Sequence, residues 1–406
     1  MSQIRSASGS LTSVDTTQSK ARRADSPLEN ELPFQQSVAL LHAARERLVL
    51  TEACPIPYPT KDDELVVEIR AIGLNPVDWK SIDYNFAIPQ LPYIAGRDFA
   101  GLVVKAPAAS SRLQVGDLVL SPSTDYRDIR KSAFQEYAIS THHNVARIPR
   151  NVPTTQAASI GVAYVAAALA LGVSLGLRLY GPSGRDQIDL WKTVRQVPVS
   201  TIPADILAEC LSGIENAERP QPGDWIAVYG GSSTSALFIS EIARLAELKV
   251  ILLADGVKHG GRLSERQGCI LVDSHDPARA IKVVQSITKG RLKFAVDTVG
   301  KETAGHLVQM LQAEAQEGKR AHLVGLTGVP KEKVDDVVFH SVPIKLFHEV
   351  PSIGLALMVW LERALESGAL ALPEVEHAEG GLGGINAALD KMRRGEISGR
   401  RLVVSV

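Results

Sequence analysis

The loop that follows the apolar run Trp225–Tyr229 combines residue types suited to binding an anion. Gly230 and Gly231 precede four hydroxyl residues, and a helical pattern begins at Ala236. Backbone N–H groups and the helix dipole at such a position bind groups like a dinucleotide pyrophosphate. The Gly-x-Gly-x-x-Gly fingerprint is only partly met, because a serine and an alanine occupy its second and third glycine positions. The hydroxyl residues that can donate to phosphate oxygens instead are Ser232, Ser233, Thr234 and Ser235.

The residues after the next apolar run, Lys249–Leu253, bear on the choice between NAD and NADP. Asp255 is suited to holding the ribose diol of NAD, because a carboxylate accepts from both hydroxyls. Lys258, together with Arg262, is suited to neutralising the 2′-phosphate of NADP. These residues alone leave both cofactors open.

Strands and helices alternate through the region that contains this loop. The rhythm predicts a doubly wound parallel sheet. A polar segment with several prolines, residues 174–222, interrupts the alternation and is interpreted as an insertion. The predicted elements are strands at Trp225–Tyr229, Lys249–Leu253, Phe294–Asp297 and Ala321–Gly325, and helices at Ala236–Glu247 and Ala280–Ile287.

Residues 34–150 have a different character, with short apolar runs separated by Gly, Pro and Asp. This spacing is typical of a compact β-barrel or sandwich. The runs that predict strands are Leu65–Arg70, Gly101–Val104 and Asp117–Leu120.

The segment Ala157–Leu177 has 21 residues without a charge, which is long enough to span a membrane. Seven of them are Ala, three Gly and two Ser, so insertion into lipid would gain little free energy. We therefore predict a buried core helix over Ala157–Leu171.

Composition excludes several classes of function. The 44 basic and 45 acidic residues give a net charge of −1, which argues against nucleic-acid binding and against docking on anionic lipid. The 20 aromatic residues are too few for base-stacking platforms. Three scattered cysteines exclude a disulfide framework and predict a reducing compartment, which we take to be the cytoplasm.

Residues 1–33 are rich in Ser and Thr and poor in large apolar side chains, so we predict a disordered leader. Four basic residues and one acid within the first 23 positions leave a transit peptide open as the alternative.

Several motifs together resemble the medium-chain dehydrogenase/reductase superfamily. The resemblance implies an α/β chain with an N-terminal GroES-like β-barrel catalytic domain and a Rossmann domain. It places the catalytic domain at residues 34–155 and 345–406, and the Rossmann NADP-binding domain at 156–344. The motifs are Gly73–Lys80, Pro92–Gly101, Val115–Val119, Ala133–Tyr137, Gly384–Leu389 and Ile397–Val404.

The resemblance also narrows the branch. Zinc-dependent members carry Cys and His-Glu where this chain has Asn75 and the pair Arg97-Asp98, and neither Asn nor Arg provides the soft or imidazole ligand that a catalytic zinc needs. The chain is therefore similar to the zinc-free quinone-oxidoreductase-like branch, and no metal ligand is expected. Within that branch it most resembles fungal trans-acting enoyl reductases and secondary-metabolism dehydrogenases. His142 and His143 are interpreted as loop residues with no acidic or cysteine partner nearby.

The resemblance implies an NADPH-dependent reductase that transfers hydride to an α,β-unsaturated carbonyl or thioester. The substrate is then a small molecule or a carrier-bound acyl group, and a polyketide synthase is the expected partner. A quinone or ketone reductase, and a catalytically weak NADPH-binding protein on the same fold, remain as alternatives.

Lys80 is the candidate catalytic residue, because an ammonium in the cleft can stabilise a developing enolate and supply a proton. A mere contact with the cofactor is its alternative role. Tyr164 and Ala166 are expected to contact substrate, although Tyr164 suits a core position with its hydroxyl bonded to backbone equally well. The expected cofactor contacts are Val77, Asp78, Trp79, Lys80, Gly230, Gly231, Ser232, Ser233, Thr234, Ser235, Lys258 and Ser274.

Overall fold

The computed structural model describes residues 32–110, 112–184, 187–312 and 320–406. The predicted leader, residues 1–33, lies outside the described residues except at its last two positions. Up to residue 150 the described chain consists mainly of short strands. Its elements are β1 (Gln35–Leu41), β2 (Val49–Pro55), β3 (Glu64–Gly73), α1 (Pro76–Tyr84), β4 (Tyr93–Ile94), β5 (Asp98–Lys105), β6 (Leu118–Pro122), β7 (Tyr137–Thr141) and β8 (Ala146–Arg147).

Helices become frequent after residue 150. The next elements are α2 (Thr154–Ala157), α3 (Gly161–Leu169), β9 (Leu179–Tyr180), β10 (Gln187–Ile188), α4 (Leu190–Gln196) and α5 (Leu207–Ser212). They are followed by β11 (Trp225–Tyr229), α6 (Thr234–Leu245), β12 (Lys249–Ala254), α7 (Gly256–Ser264), β13 (Cys269–Asp273), α8 (Pro277–Thr288), β14 (Leu292–Asp297), α9 (Lys301–Met310), β15 (Ala321–Gly325) and β16 (Val337–Ser341). The last elements are α10 (Leu346–Glu349), α11 (Pro351–Glu366), β17 (Val375–Ala378), α12 (Gly381–Arg393) and β18 (Arg401–Ser405).

A six-stranded sheet in the order β13-β12-β11-β14-β15-β16 forms the second half of the fold, and all its neighbouring strands are parallel. Its strands are continuous apolar runs, as strands covered on both faces require. The strand order reverses between β11 and β14. The loop after β11 therefore lies where sheets of this kind bind their ligands.

A seven-stranded sheet is built around β3. It contains strands from the first part of the chain together with the C-terminal strands β17 and β18. β3 pairs antiparallel with β5, β7 and the C-terminal β18, so the end of the chain returns beside α1. The predicted fold class, a GroES-like barrel domain with a Rossmann sheet, is confirmed. The domain boundaries near 155/156 and 344/345 stay predictions.

The helix predicted over Ala157–Leu171 is observed from Gly161 onward, but its first residues belong to α2 and to the turn between α2 and α3. The Asp98 carboxylate accepts the N–H of Val162 at 2.7 Å and thereby caps the start of α3. Gly161 is needed at this point, since a Cβ there would lie 2.2 Å from Asp98 Oδ1. α3 then continues into a π-helical turn, Ala170–Ser174. None of the described helices is both long enough and apolar enough to cross a membrane.

The segment 174–222 is folded over its described residues, and its origin as an insertion stays a prediction. It contributes the β9–β10 hairpin, α4 and α5. Leu190, Val194 and Cys210 from this segment are buried in the same core cluster as the Rossmann strands.

Candidate active site

The loop after β11 is held in a tight conformation by its neighbours. Gly230 has φ +79°, and a Cβ there would lie 2.3 Å from the Thr298 hydroxyl, so only glycine fits. The N–H groups of Gly230 and Gly231 both donate to the Leu253 carbonyl, at 3.0 and 2.9 Å. These two amides are therefore occupied and do not point to a phosphate.

Ser233 is the N-cap of α6, which explains why the helix begins two residues before the predicted Ala236. Its hydroxyl accepts the Ala236 N–H at 3.1 Å and lies 3.0 Å from the Thr298 hydroxyl. The Ser233 hydroxyl is therefore engaged by neighbouring groups of the protein, and its contact with phosphate stays a prediction. The hydroxyls of Ser232, Thr234 and Ser235 make no hydrogen bond within the described ranges, and the first N–H groups of α6 have no intrahelical acceptor. These groups fit a pyrophosphate.

The end of β12 carries both residues that bear on the cofactor. Asp255 is the N-cap of α7, since its carboxylate accepts the Lys258 N–H at 2.8 Å. Its other oxygen lies 3.4 Å from Nε2 of His275. The carboxylate is therefore not free to hold both ribose hydroxyls. The side chain of Lys258 is exposed and has no ion pair among the described residues.

Arg262 and Ser274 are two further residues expected near the adenosine ribose of the cofactor. The guanidinium of Arg262 donates to the Gly399 carbonyl and is therefore already engaged with the closing segment of the chain. Ser274 follows β13, and its N–H donates to the Ala254 carbonyl at 2.9 Å, which holds it beside the end of β12. Lys258 and Ser274 thus flank the same strand end.

A buried polar centre lies where α1, β5 and β18 meet. The Asn75 amide donates to the Asp98 carboxylate at 2.9 Å. Nη2 of Arg401 donates to Asn75 Oδ1 at 2.8 Å and to Asp98 Oδ2 at 3.2 Å. Burial raises the pKa of Asp98 to about 6, while Arg401 and the hydrogen bonds act to lower it. Asp98 therefore stays charged at neutral pH and forms a buried ion pair with Arg401.

Two further buried charged residues, Asp78 and Arg97, extend this centre. Asp78 accepts the Asn75 N–H at 2.7 Å, and burial raises its pKa to about 7. Arg97 donates to the Tyr93 hydroxyl at 2.8 Å and stacks on Tyr126, with Cζ 3.7 Å from the ring centroid. Asp78 Oδ1 and Arg97 Nη1 are both buried without a partner among the described residues. A bound polar group would complete these hydrogen bonds.

Comparison with known proteins finds a matching domain, related sequences and a similar fold. Residues 61–150 match the model described as the alcohol dehydrogenase GroES-like domain. The chain is 28% identical to trans-enoyl reductase FMN2 of Fusarium mangiferae, over 90% of this chain and 98% of the relative. The solved structure of an alcohol dehydrogenase superfamily protein from Novosphingobium aromaticivorans matches with a TM-score of 0.69 and 18% identity, over 91% of this chain and 99% of that one. The chain is thus similar to proteins of the medium-chain dehydrogenase/reductase superfamily over nearly its whole length.

Two further matches agree with its quinone-oxidoreductase-like branch. The chain is 24% identical to lovC, the enoyl reductase component of the lovastatin nonaketide synthase of Aspergillus terreus, over 92% of this chain and 97% of the relative. A putative NADPH:quinone reductase from Bacillus thuringiensis matches with a TM-score of 0.68 and 17% identity, over 92% of this chain and 100% of that one. The resemblance identified in the sequence is confirmed, and these relatives support an oxidoreductase.

The zinc of other medium-chain dehydrogenases does not fit the residues of this centre. Zinc requires thiolate, imidazole or carboxylate donors, whereas Arg97 and Arg401 are permanent cations. Asn75 and Asp98 are already bonded to each other and to Arg401. The described clusters of three or more ligand-type side chains lie at other residues. That the reaction needs no metal stays a prediction.

The helix that carries Lys80 presents two faces. Asp78, Ser81 and Ile82 are buried, whereas Val77, Trp79 and Lys80 are partly exposed. The Lys80 ammonium lies 5.7 Å from the centroid of the Trp79 ring and has no ion pair within the described residues. Lys80 is thus available to a ligand, and its catalytic role stays a prediction, as do the expected contacts of Val77 and Trp79.

Tyr164 does not contact substrate, contrary to the expected role. Its side chain is fully buried, and its hydroxyl donates to the Leu357 carbonyl at 2.9 Å. The ring stacks on Trp360 and meets Phe238 edge-on. The alternative, a core tyrosine with a backbone partner, is the one observed. Ala166, on the same helix, is partly exposed, and its contact with substrate stays a prediction.

His142 and His143 lie in a turn, as predicted, but the prediction that they have no acidic partner is wrong. Asp63, from the turn between β2 and β3, lies beside both imidazoles. This acid is far away in the sequence and is brought close by the pairing of β3 with β7.

Arg401 is the site residue that sequence reasoning missed. Its motif, Ile397–Val404, was visible only as a closing segment of the barrel. An arginine at the first position of an apolar strand is a signal of a buried ionic role, but only the pairing of β18 with β3 identifies its partners.

Proposed function

We propose that this protein is an NADPH-dependent, zinc-independent enoyl reductase that acts on an acyl group carried by a polyketide synthase. The observation that supports this most is the match to trans-enoyl reductases over nearly the whole chain, combined with guanidinium groups in the centre where zinc-dependent relatives hold a metal.

The cofactor site follows from the free groups at two strand ends. When bound, NADPH supplies a hydride for the β-carbon of the substrate. Ser232, Thr234 and Ser235 bind the pyrophosphate at the N-terminus of α6. Lys258 binds the 2′-phosphate through a charge-assisted hydrogen bond. Because Asp255 is engaged as a helix cap, it does not compete as a ribose ligand.

The substrate needs positive charge at its carbonyl oxygen and a proton at its α-carbon. Lys80 provides both, because its ammonium stabilises the enolate and then gives up a proton that solvent replaces. The buried cation Arg97 contributes to the positive field of the same centre.

The role of Lys80 is tested by Lys80→Ala, with Lys105→Ala as the control, because Lys105 contacts Tyr58 on the barrel. At saturating NADPH we expect kcat for an enoyl thioester to fall about 10²- to 10³-fold in Lys80→Ala and to remain unchanged in the control. A raised KM for NADPH with normal kcat would instead assign Lys80 to cofactor binding.

The cofactor choice is tested by Lys258→Ala, with Lys249→Ala at the opposite end of β12 as the control. We expect Lys258→Ala to weaken NADPH binding about 10- to 100-fold and to leave NADH binding unchanged, since one charge-assisted hydrogen bond is lost. Equal wild-type affinity for the two cofactors in a fluorescence titration would contradict the assignment.

Substrate class is tested with three probes: an enoyl group on an acyl carrier protein, the same group on a short thiol, and a quinone. We expect the carrier-bound substrate to be reduced with the highest kcat/KM. Preferential reduction of the quinone would select the quinone reductase alternative, and NADPH binding without turnover of any probe would select the weak binding protein.

A further inference from the structure

Asp63, His142 and His143 form a cluster on the barrel that the proposed reaction does not use. Their ligand-type atoms all lie within 4.8 Å of one another, and Nδ1 of His143 is 4.0 Å from Asp63 Oδ2. The two turns that carry them are already joined, because the His142 N–H donates to the Asp63 carbonyl at 2.9 Å. The three side chains are therefore held together by the backbone before any ligand binds.

Each imidazole of this cluster has a buried nitrogen that makes no hydrogen bond to the described residues. The His143 side chain is only 4% exposed. Nδ1 of His142 and Nδ1 of His143 have no hydrogen-bond partner among the described residues. Leaving such a nitrogen buried and unpaired destabilises the folded protein. A ligand that binds to imidazole lone pairs would remove this destabilisation.

We propose that Asp63, His142 and His143 bind a zinc ion. Two imidazoles and one carboxylate are a common zinc ligand set, with water in the fourth position. Zinc bonds of about 2.0–2.1 Å place tetrahedral donors about 3.4 Å apart, so His143 and Asp63 need to approach by little more than half an ångström. Asp63 and His142 are partly exposed, which lets the ion and its water reach the site.

Surrounding groups agree with this assignment. The Thr141 hydroxyl lies 3.4 Å from Nε2 of His143, and a contact of this kind orients a ligand imidazole. Lys131, a cation that acts on His143, is itself paired with Asp125 and Asp128 at 3.7 and 3.9 Å.

The ion would be structural, because it joins two turns of the barrel. The next residue, Asn144, donates to the Phe347 carbonyl at 2.6 Å and so connects this turn to the end of α10. Zinc would therefore hold the turn between β7 and β8, which is hydrogen-bonded to α10 through Asn144. It would stabilise the fold without taking part in hydride transfer.

The test uses the full chain, freed of metal with a chelator and kept reduced. Zinc sulfate is titrated against a competing indicator, and cobalt chloride is used for its visible spectrum. The variants are Asp63→Asn and His143→Gln, and the control is Asp62→Asn, which removes the neighbouring exposed charge. Reductase activity is measured in parallel with and without chelator.

We expect one equivalent of zinc, a tetrahedral cobalt spectrum, and a zinc-dependent rise in Tm in the wild-type protein and in Asp62→Asn. Both responses should disappear in Asp63→Asn and in His143→Gln. Absence of binding, unchanged binding in Asp63→Asn, or a cobalt–thiolate band that marks a cysteine site would overturn the proposal. Loss of activity on chelation would contradict the zinc-independent function. The zinc site at Asp63, His142 and His143 is decided separately, by the binding measurements.

Discussion

Replacing Arg401 by methionine isolates the contribution of the buried ion pair that it forms with Asp98. The side chains of Arg401 and Asp98 are 7% and 1% exposed, and their nearest atoms are 3.2 Å apart. Methionine fills a similar volume but leaves the Asp98 carboxylate with only the Asn75 amide and the Val162 N–H.

The expected cost follows from this geometry. At an effective dielectric constant of about 20, opposite charges at this distance attract by about 5 kcal/mol. Desolvation of both groups offsets much of that attraction, but removing one partner leaves the other charge buried alone. We therefore expect Arg401→Met to lower the free energy of unfolding by about 3–5 kcal/mol at neutral pH.

The assay is urea unfolding followed by tryptophan fluorescence and by circular dichroism. Arg400→Met is the matched control, because Arg400 is half-exposed and bonds only at 3.4 Å to Glu376. That variant should cost less than about 1 kcal/mol. The double variant Asp98→Asn/Arg401→Met carries no buried charge at this point and should recover about 2–3 kcal/mol relative to the sum of the single variants.

Two results would refute the reasoning. If Arg401→Met costs no more than Arg400→Met, the pair does not stabilise the fold. If the single-variant costs add in the double variant, Asp98 and Arg401 are not coupled, and the buried centre is not an ion pair in solution.

Two further predictions concern groups outside the reaction. Tyr164→Phe should cost about 1–2 kcal/mol in urea unfolding, because the Leu357 carbonyl loses its donor, and should leave kcat unchanged. A fall in kcat without a loss of stability would return Tyr164 to the substrate site. Burial and the neighbouring His340 lower the pKa of His322 to about 3. Between pH 6.5 and pH 3, therefore, the His322 imidazole is protonated in the unfolded chain but not in the folded one. The free energy of unfolding should therefore fall by about 2 kcal/mol between pH 6.5 and pH 5, and His322→Gln should flatten that loss; an equal loss in the variant would contradict it.

The four inner strands of the sheet were predictable because they are continuous apolar runs at regular intervals, whereas the edge strands β13 and β16 were missed. Trp225–Tyr229 is predicted and observed with the same bounds, and Lys249–Leu253 extends by one residue. Prediction failed where a distant side chain intervenes. The break between α2 and α3 depends on Asp98, a residue of a barrel strand that no local pattern connects to an Ala-rich helix.

The site was predictable in its location and only partly in its contacts. The position of the Gly230–Ser235 loop follows from the strand and helix around it. That Ser233 and Asp255 are helix caps follows from the exact start of α6 and α7, which sequence patterns locate only to within a few residues. The partners of Arg401 and of His143 come from strands paired across the barrel, and such pairing is not encoded in spacing along the chain.

The central claim is tested most directly by following a labelled hydride. The protein is incubated with NADPH that carries deuterium at the transferable position, and with an enoyl group on an acyl carrier protein. Mass spectrometry should find the saturated acyl group with one deuterium at the β-carbon, and Lys80→Ala should form it far more slowly. Deuterium on the carbonyl carbon, or oxidation of NADPH only when a quinone is added, would contradict the account.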